Sequence, residues 1–188
     1  VKLLFVGINP GLRSAETGHH FAGYSNRFWK LLYESGLVAE RITYQDDRRL
    51  PEWGLGITNI VARATTGIDE LGPAEYQAGA RVLLTKVRRF QPAVVALVGV
   101  TVWRAILEAL GEKALRKQPV TLGFQELTIE SARVAVLPNP SGRNATLTYP
   151  QMLAAFRTLA ESRLPQPITT SRPGTRTPAA NRRTRRRP

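Results

Sequence analysis

There is no cysteine in these 188 residues, which excludes disulfides, thiolate metal sites and a cysteine nucleophile, and fits a reducing cytosol. Nor is there an apolar run of the ~18 residues that a membrane-spanning helix needs. The longest, Ala93 to Val100, has the length of a strand, so a soluble protein is expected. The single methionine is Met152, and Val1-Lys2-Leu3-Leu4-Phe5-Val6 already reads as a buried strand. The expectation is that an N-terminal piece, with any targeting signal, precedes Val1. Acids are scarce: 14 Asp and Glu stand against 27 Lys and Arg, a formal charge of +13. An excess of this size predicts attraction to a polyanion, either nucleic acid or an anionic membrane.

The length and a hydrophobic share of 43% suit one domain with a sizeable core and leave no room for two comfortable ones. We expect that domain over residues 1–164, followed by a basic arm over 165–188, in a cytoplasmic protein (nucleoid-associated if bacterial) whose bulk composition favours a monomer. The arm holds Arg172, Arg176, Arg182, Arg183, Arg185, Arg186 and Arg187 and no acid, and it has almost nothing to bury. That composition reads as disordered, either simply solvated or contacting phosphates without sequence preference.

Along the domain, short apolar runs alternate with stretches of helical period, the pattern of an α/β fold with a mainly parallel sheet. Strands are expected at Leu3–Val6, Gly56–Ile60, Val94–Val98 and Val134–Leu137, all read as central, with an extra edge strand at Thr121–Glu130. Helices are expected from Asn26, from Pro73 (stripe Tyr76, Ala80, Leu83, Leu84, Val87, Phe90), from Thr101 (Val102, Ile106, Leu110) and from Thr148 (Met152, Phe156, Leu159). Met152 and the tryptophans read as packing. In an open α/β sheet, ligands bind beyond the carboxyl ends of the strands, so the informative loops follow Val6, Ile60, Val98 and Leu137.

The first of these, Gly7-Ile8-Asn9-Pro10-Gly11, is a tight turn that exposes backbone amides and aims a polar side chain into the crevice. Taken alone it is equally an ordinary strand-to-helix turn. It lacks the Gly-Lys-Ser/Thr ending of a phosphate-binding loop and the dinucleotide fingerprint. The last, Leu137-Pro138-Asn139-Pro140-Ser141-Gly142-Arg143-Asn144-Ala145, combines stiffening prolines, small residues and one long cation. Such a loop has the form of a wedge for a groove of negative potential, or else is a surface turn that carries an arginine. His19 and His20 either contact phosphate or base or are exposed bystanders; without carboxylates at ligand spacing they make no metal site.

Together, "GINPG", "GHHFAGYSNRFWKLL", "GITNIVARAT" and "LPNPSGRNA" resemble the mismatch-specific uracil-DNA and thymine-DNA glycosylase family, in its order and spacing, from Val1 to about Arg163. The resemblance implies a three-layer α/β/α sandwich and a monofunctional glycosylase with no metal or cofactor. It also implies double-stranded DNA with uracil or thymine opposite guanine as the partner. It assigns Asn9 to positioning the attacking water, Phe21 to stacking on the flipped base, Ile8 to contacting that base through its backbone, and Asn26 to the start of a helix. Asn139 to Ala145 match the insertion loop, with Asn139 and Ser141 toward substrate and Gly142, Arg143 and Asn144 toward DNA. Arg143 is similar to the thymine-acting branch, where bacterial relatives carry Leu, as is "GHH"; "NPSG" is similar to the bacterial branch. The faster relatives carry Asp in the first loop and His in the last, where this chain has Asn9 and Asn139.

Hydrolysis of a pyrimidine nucleoside needs a water near C1′, stabilisation of an oxocarbenium-like sugar and donors for the departing base. An asparagine orients water but neither removes its proton nor adds negative charge. A further carboxylate is therefore sought: Asp69, or Glu70, beside the second strand acts as base or electrostatic stabiliser, or else caps the helix that starts at Pro73. Glu16 is a weaker candidate. Two other readings stay open, a catalytically weak DNA-lesion-binding module of the same fold and a nucleoside hydrolase; the arginine wedge and basic arm argue against the latter.

Overall fold

The computed structural model describes residues 1–144 and 146–162. Ala145, at the end of the expected wedge loop, and the expected arm over 165–188 lie outside the described residues. The chain runs β1 (Leu3–Gly7), α1 (Leu12–Thr17), α2 (Phe28–Glu34), a 3-10 helix (Tyr44–Trp53), β2 (Leu55–Asn59), a one-turn 3-10 helix (Ile68–Glu70), α3 (Pro73–Phe90) and β3 (Val94–Val98). It continues through α4 (Val100–Ala109), α5 (Lys113–Arg116), β4 (Gly123–Ile129), β5 (Ala132–Leu137) and α6 (Tyr149–Glu161). The strands form one sheet in the order β2-β1-β3-β5-β4. All pairs are parallel except β4 with β5.

Successive side chains on a strand face opposite sides of a sheet, and here both sides are apolar. Leu4, Val6, Val95, Leu97, Val134 and Val136 face α3 and α4. Leu3, Phe5, Ala96, Val98, Ala135 and Leu137 face α2, α6 and the Tyr44–Trp53 helix. The result is the expected three-layer α/β/α sandwich. Phe5 sits at the middle of the second core, edge-on to Phe28 at 5.2 Å and stacked with Phe156 at 6.3 Å. Burying an aromatic of this size contributes about 1.5–3 kcal/mol.

Helix ends follow local chemistry. Pro73 occupies the first turn of α3, the Glu75 carboxylate accepts the Gly72 amide at 2.9 Å, and Arg88 and Arg89 lie in the last turn, where cations meet the negative end of the helix dipole. In α6, Thr148 and Gln151 form a capping box.

Three expectations need correction. β2 lies at the sheet edge rather than at its centre; only Leu55 is fully buried, since Gly56, Thr58 and Asn59 bring too little apolar surface to be sandwiched. Phe90 and Leu110, expected to face inward, are 54% and 37% exposed, because they fall where α3 and α4 run out. The Tyr44–Trp53 helix was not anticipated, since its charges show no apolar period. A Thr43–Asp46 capping box and buried Leu50 and Asp47 hold it. Among the described residues no helix is long and apolar enough to cross a membrane.

Candidate active site at the carboxyl ends of the strands

The chain leaves β1 on one side toward β2 and returns on the other as β3. That reversal opens a crevice above the carboxyl ends of the strands. There the first two loops are joined: Ile60 N–H donates to Gly7 O at 2.9 Å, Val61 N–H to Ile8 O at 2.8 Å, and Thr65 N–H to Pro10 O at 3.2 Å. Ile8, 8% exposed, forms part of the floor.

These contacts fix Asn9. Its Nδ2 lies 2.7 Å from Thr65 Oγ1, 3.0 Å from the Arg63 carbonyl and 3.2 Å from the Pro10 carbonyl. Carbonyls only accept, so the NH2 end of the amide must face them, and its two protons are used there. The Oδ1 end is left as a free acceptor. Thr65, 4% exposed, went unnoticed in the sequence. It is separated from Asn9 by 56 positions and carries no signal apart from its polar side chain.

Phe21 lies over the same crevice. Its φ is +49°, a left-handed conformation that bulky residues seldom adopt, and its ring stacks on Phe28 at 4.2 Å. A Cβ on Gly7 would meet Asn59 Oδ1 at 2.5 Å and the Phe21 ring at 3.1 Å, so a larger residue there would push the Asn59 side chain aside. Asn59, paired with Gly7 across β1 and β2, is a second polar residue that sequence reasoning missed. Its signal was an amide at the end of a strand opposite the motif glycine. Asn26 Oδ1 accepts the Phe28 amide at 3.0 Å and so starts α2.

The strained strap before Phe28 is held from both sides. Arg13 Nε donates to the Ala22 carbonyl at 2.9 Å, and the Ala22 amide donates to Ser14 Oγ at 3.0 Å. His19 Nδ1 and His20 Nδ1 lie 3.0 and 3.1 Å from the two Asp47 oxygens, and the His20 amide donates to Asp47 at 3.1 Å. The histidines are therefore structural fasteners on Asp47, which is 8% exposed. Burial raises the pKa of that carboxyl, but the hydrogen bonds from His19 and His20 outweigh it and hold it below the ordinary 3.8.

The loop after β5 closes the far wall. Asn139 Oδ1 accepts the Ser141 amide at 3.1 Å, Asn144 Nδ2 donates to the Asn139 carbonyl at 2.9 Å, and Ser141 Oγ accepts the Arg143 amide at 3.3 Å. A Cβ on Gly142 would come within 2.4 Å of Ser25, so the loop rests directly on the turn that follows Phe21. Exposed Arg143 reaches across to the Thr66 carbonyl at 3.0 Å. Beside the loop, Arg27, Lys30, Asn144 and Thr148 line an open groove.

The acids divide the rim differently from expectation. Glu75, rather than Asp69, caps α3. Glu75 also pairs with the Arg63 guanidinium at 2.8 Å, and this pairing with the Gly72 amide brings its pKa down to about 2. Arg63 thus ties the carbonyl that holds Asn9 to the start of α3. Glu70 accepts the Thr66 and Gly67 amides and the Thr66 hydroxyl. Asp69 is exposed in the one-turn helix with its carboxylate against Gly67, and makes no ion pair among the described residues. The structure brings Ile8, Asn9, Phe21, Asn139 and the loop after β5 together at the carboxyl ends of the strands, with Asp69 on the segment beyond Thr65. Among the described residues no group of three acids or histidines is arranged to hold a metal.

The sequence matches the family model described as the uracil DNA glycosylase superfamily over residues 1–160. The chain belongs to that superfamily and is a DNA N-glycosylase.

Proposed function

We propose that this glycosylase is mismatch-directed and acts as a monomer. It flips uracil, or thymine and related damaged pyrimidines, out of duplex DNA where the base stands opposite guanine, and hydrolyses the N-glycosidic bond to leave an abasic site. The observation that carries this reading is the Asn9 amide, whose NH2 end is locked by Thr65 and the Arg63 carbonyl. Its Oδ1 accepts a hydrogen bond from a water and so aims the water oxygen at C1′. The N1–C1′ bond breaks with its electron pair leaving on the base, the water oxygen bonds to C1′, and the water proton is lost to solvent or to the departing base. Because an amide removes no proton, the rate depends on how well the leaving base bears charge, and a base already weakly paired is the cheapest to extrude.

The other roles follow the free groups. Phe21, backed by Phe28, stacks on the extruded base; Ile8 contacts it through the backbone, and Asn139 Nδ2 and the Ser141 hydroxyl proton are donors for base or sugar. Gly142 and Asn144 approach the DNA backbone, and Arg143 leaves Thr66 to fill the gap. Asp69, the acid of its pair without a capping task, stabilises the sugar cation; single-turnover cleavage by Asp69→Ala equal to wild type would remove it from the mechanism. The test of the whole reading is a labelled duplex with one uracil opposite guanine, treated with alkali after incubation, beside the free nucleoside. Scission of the duplex alone supports the proposal. Binding without scission makes the chain a lesion-binding module, and nucleoside cleavage makes it a nucleoside hydrolase.

A further inference from the structure

Arg13 stands at the outer edge of the strap, on α1, with its guanidinium 3.7 Å from the centre of the Tyr24 ring. Besides the Ala22 carbonyl, it donates from Nη1 to Tyr24 Oη at 2.5 Å and from Nη2 to Tyr44 Oη at 3.2 Å. Every partner is neutral. Arg13 forms no ion pair among the described residues, and Glu16, one turn further along α1, does not meet it. Arg49, by contrast, is matched by Glu40 and Glu52, and Arg63 by Glu75.

The donors remaining on this cluster define its chemistry. A guanidinium has five N–H groups, and three are used, which leaves one on each terminal nitrogen. Tyr24 and Tyr44 accept from Arg13 through their hydroxyl oxygens, so each retains its own proton to donate. Two N–H and two O–H groups around one uncompensated charge, with no acid among them, suit an anion with several oxygens. Tyr24 is 88% exposed, so its hydroxyl is open to an incoming ligand. It lies next to Ser25, on which the wedge loop rests.

We infer that Arg13, Tyr24 and Tyr44 form a seat for one backbone phosphate of the DNA strand near the extruded nucleotide. This rests on the chain acting on DNA but not on which base it removes. The seat links binding to the chemistry, because the arginine that receives the phosphate also holds the Ala22 carbonyl next to Phe21. A phosphate contact fixes register on the duplex without reading sequence, as a non-selective grip beside a selective pocket requires.

The experiment measures equilibrium binding to an undamaged duplex and to one with a stable abasic analogue, so that no excision is needed and failure of the proposed reaction does not affect the result. Uncharged methylphosphonates replace the phosphates one at a time, for wild type, Arg13→Ala and Tyr24→Phe. The expected result is one position where wild type loses affinity and Arg13→Ala does not, with the Arg13→Ala salt slope shallower by about 0.9. Tyr24→Phe, which removes a single exposed hydroxyl, loses part of the same sensitivity. If Arg13→Ala does not fold, as judged by its thermal transition, Tyr24→Phe decides by the same criterion. A lowered thermal midpoint with unchanged salt slope and unchanged methylphosphonate pattern would overturn the inference and leave the cluster as a strut for the strap.

Discussion

Replacing Thr65 with Val keeps the β-branched shape and removes one oxygen, the hydroxyl 2.7 Å from Asn9 Nδ2. The amide retains the Arg63 and Pro10 carbonyls at 3.0 and 3.2 Å, so it stays in the crevice but loses the shortest of its three restraints. A hydrogen bond of this kind contributes about 0.5–1.5 kcal/mol net. If that energy serves to hold Oδ1 where water must stand, the single-turnover rate falls by roughly 2- to 12-fold, while affinity for an abasic analogue stays the same because the loss appears in the transition state. Thr65→Ser keeps the oxygen and should recover most of the rate. The assay is alkaline strand scission of a uracil-containing duplex at saturating enzyme. Equal rates for Thr65→Val and wild type, or an equal loss in Thr65→Ser, would refute the idea that this hydroxyl orients the amide.

Two further outcomes are expected. Arg143→Ala should lower excision from duplex DNA far more than from single strands, where no vacated space has to be filled; equal losses at one fixed salt concentration would make Arg143 only a phosphate contact. Asp47→Asn should cost about 1.5–3 kcal/mol of folding stability near neutral pH, the usual range for hydrogen bonds to a charged group. Because the folded-state pKa of Asp47 lies below its ordinary 3.8, that stability is complete above the ordinary value and is lost as pH falls through the folded one. The gap between wild type and variant in denaturant titrations should therefore narrow below about pH 4; a gap that stays constant into acid would contradict the role given to the carboxylate.

What was legible in the sequence is what is written locally. The strands announced themselves as apolar runs between turn residues, and β3 has the expected bounds because Val94 to Val98 is buried on both faces. Loops that follow such strands must meet at one end of a parallel sheet, so the turn with Asn9 and the Asn139–Asn144 stretch were singled out from their order, whereas Phe21 was assigned only through the family resemblance. What remained hidden depends on partners distant in the chain. Thr65 matters because Asn9 is beside it, Asn59 because Gly7 lies across from it, and Asp47 because His19 and His20 fold onto it from 28 and 27 positions away. The edge position of β2 was also hidden, since it follows from strand order, and the polar Thr58 and Asn59 in the run carried less weight than its apolar residues.

The most direct test of the account is single-turnover excision of uracil opposite guanine by wild type and Asn9→Ala, with binding to a stable abasic analogue measured in parallel. If Asn9 holds the attacking water, the variant loses about 100-fold or more in rate, the usual consequence of a misplaced reactant, and its affinity is almost unchanged. Retained excision in Asn9→Ala, or a loss of binding as large as the loss of rate, would contradict the account.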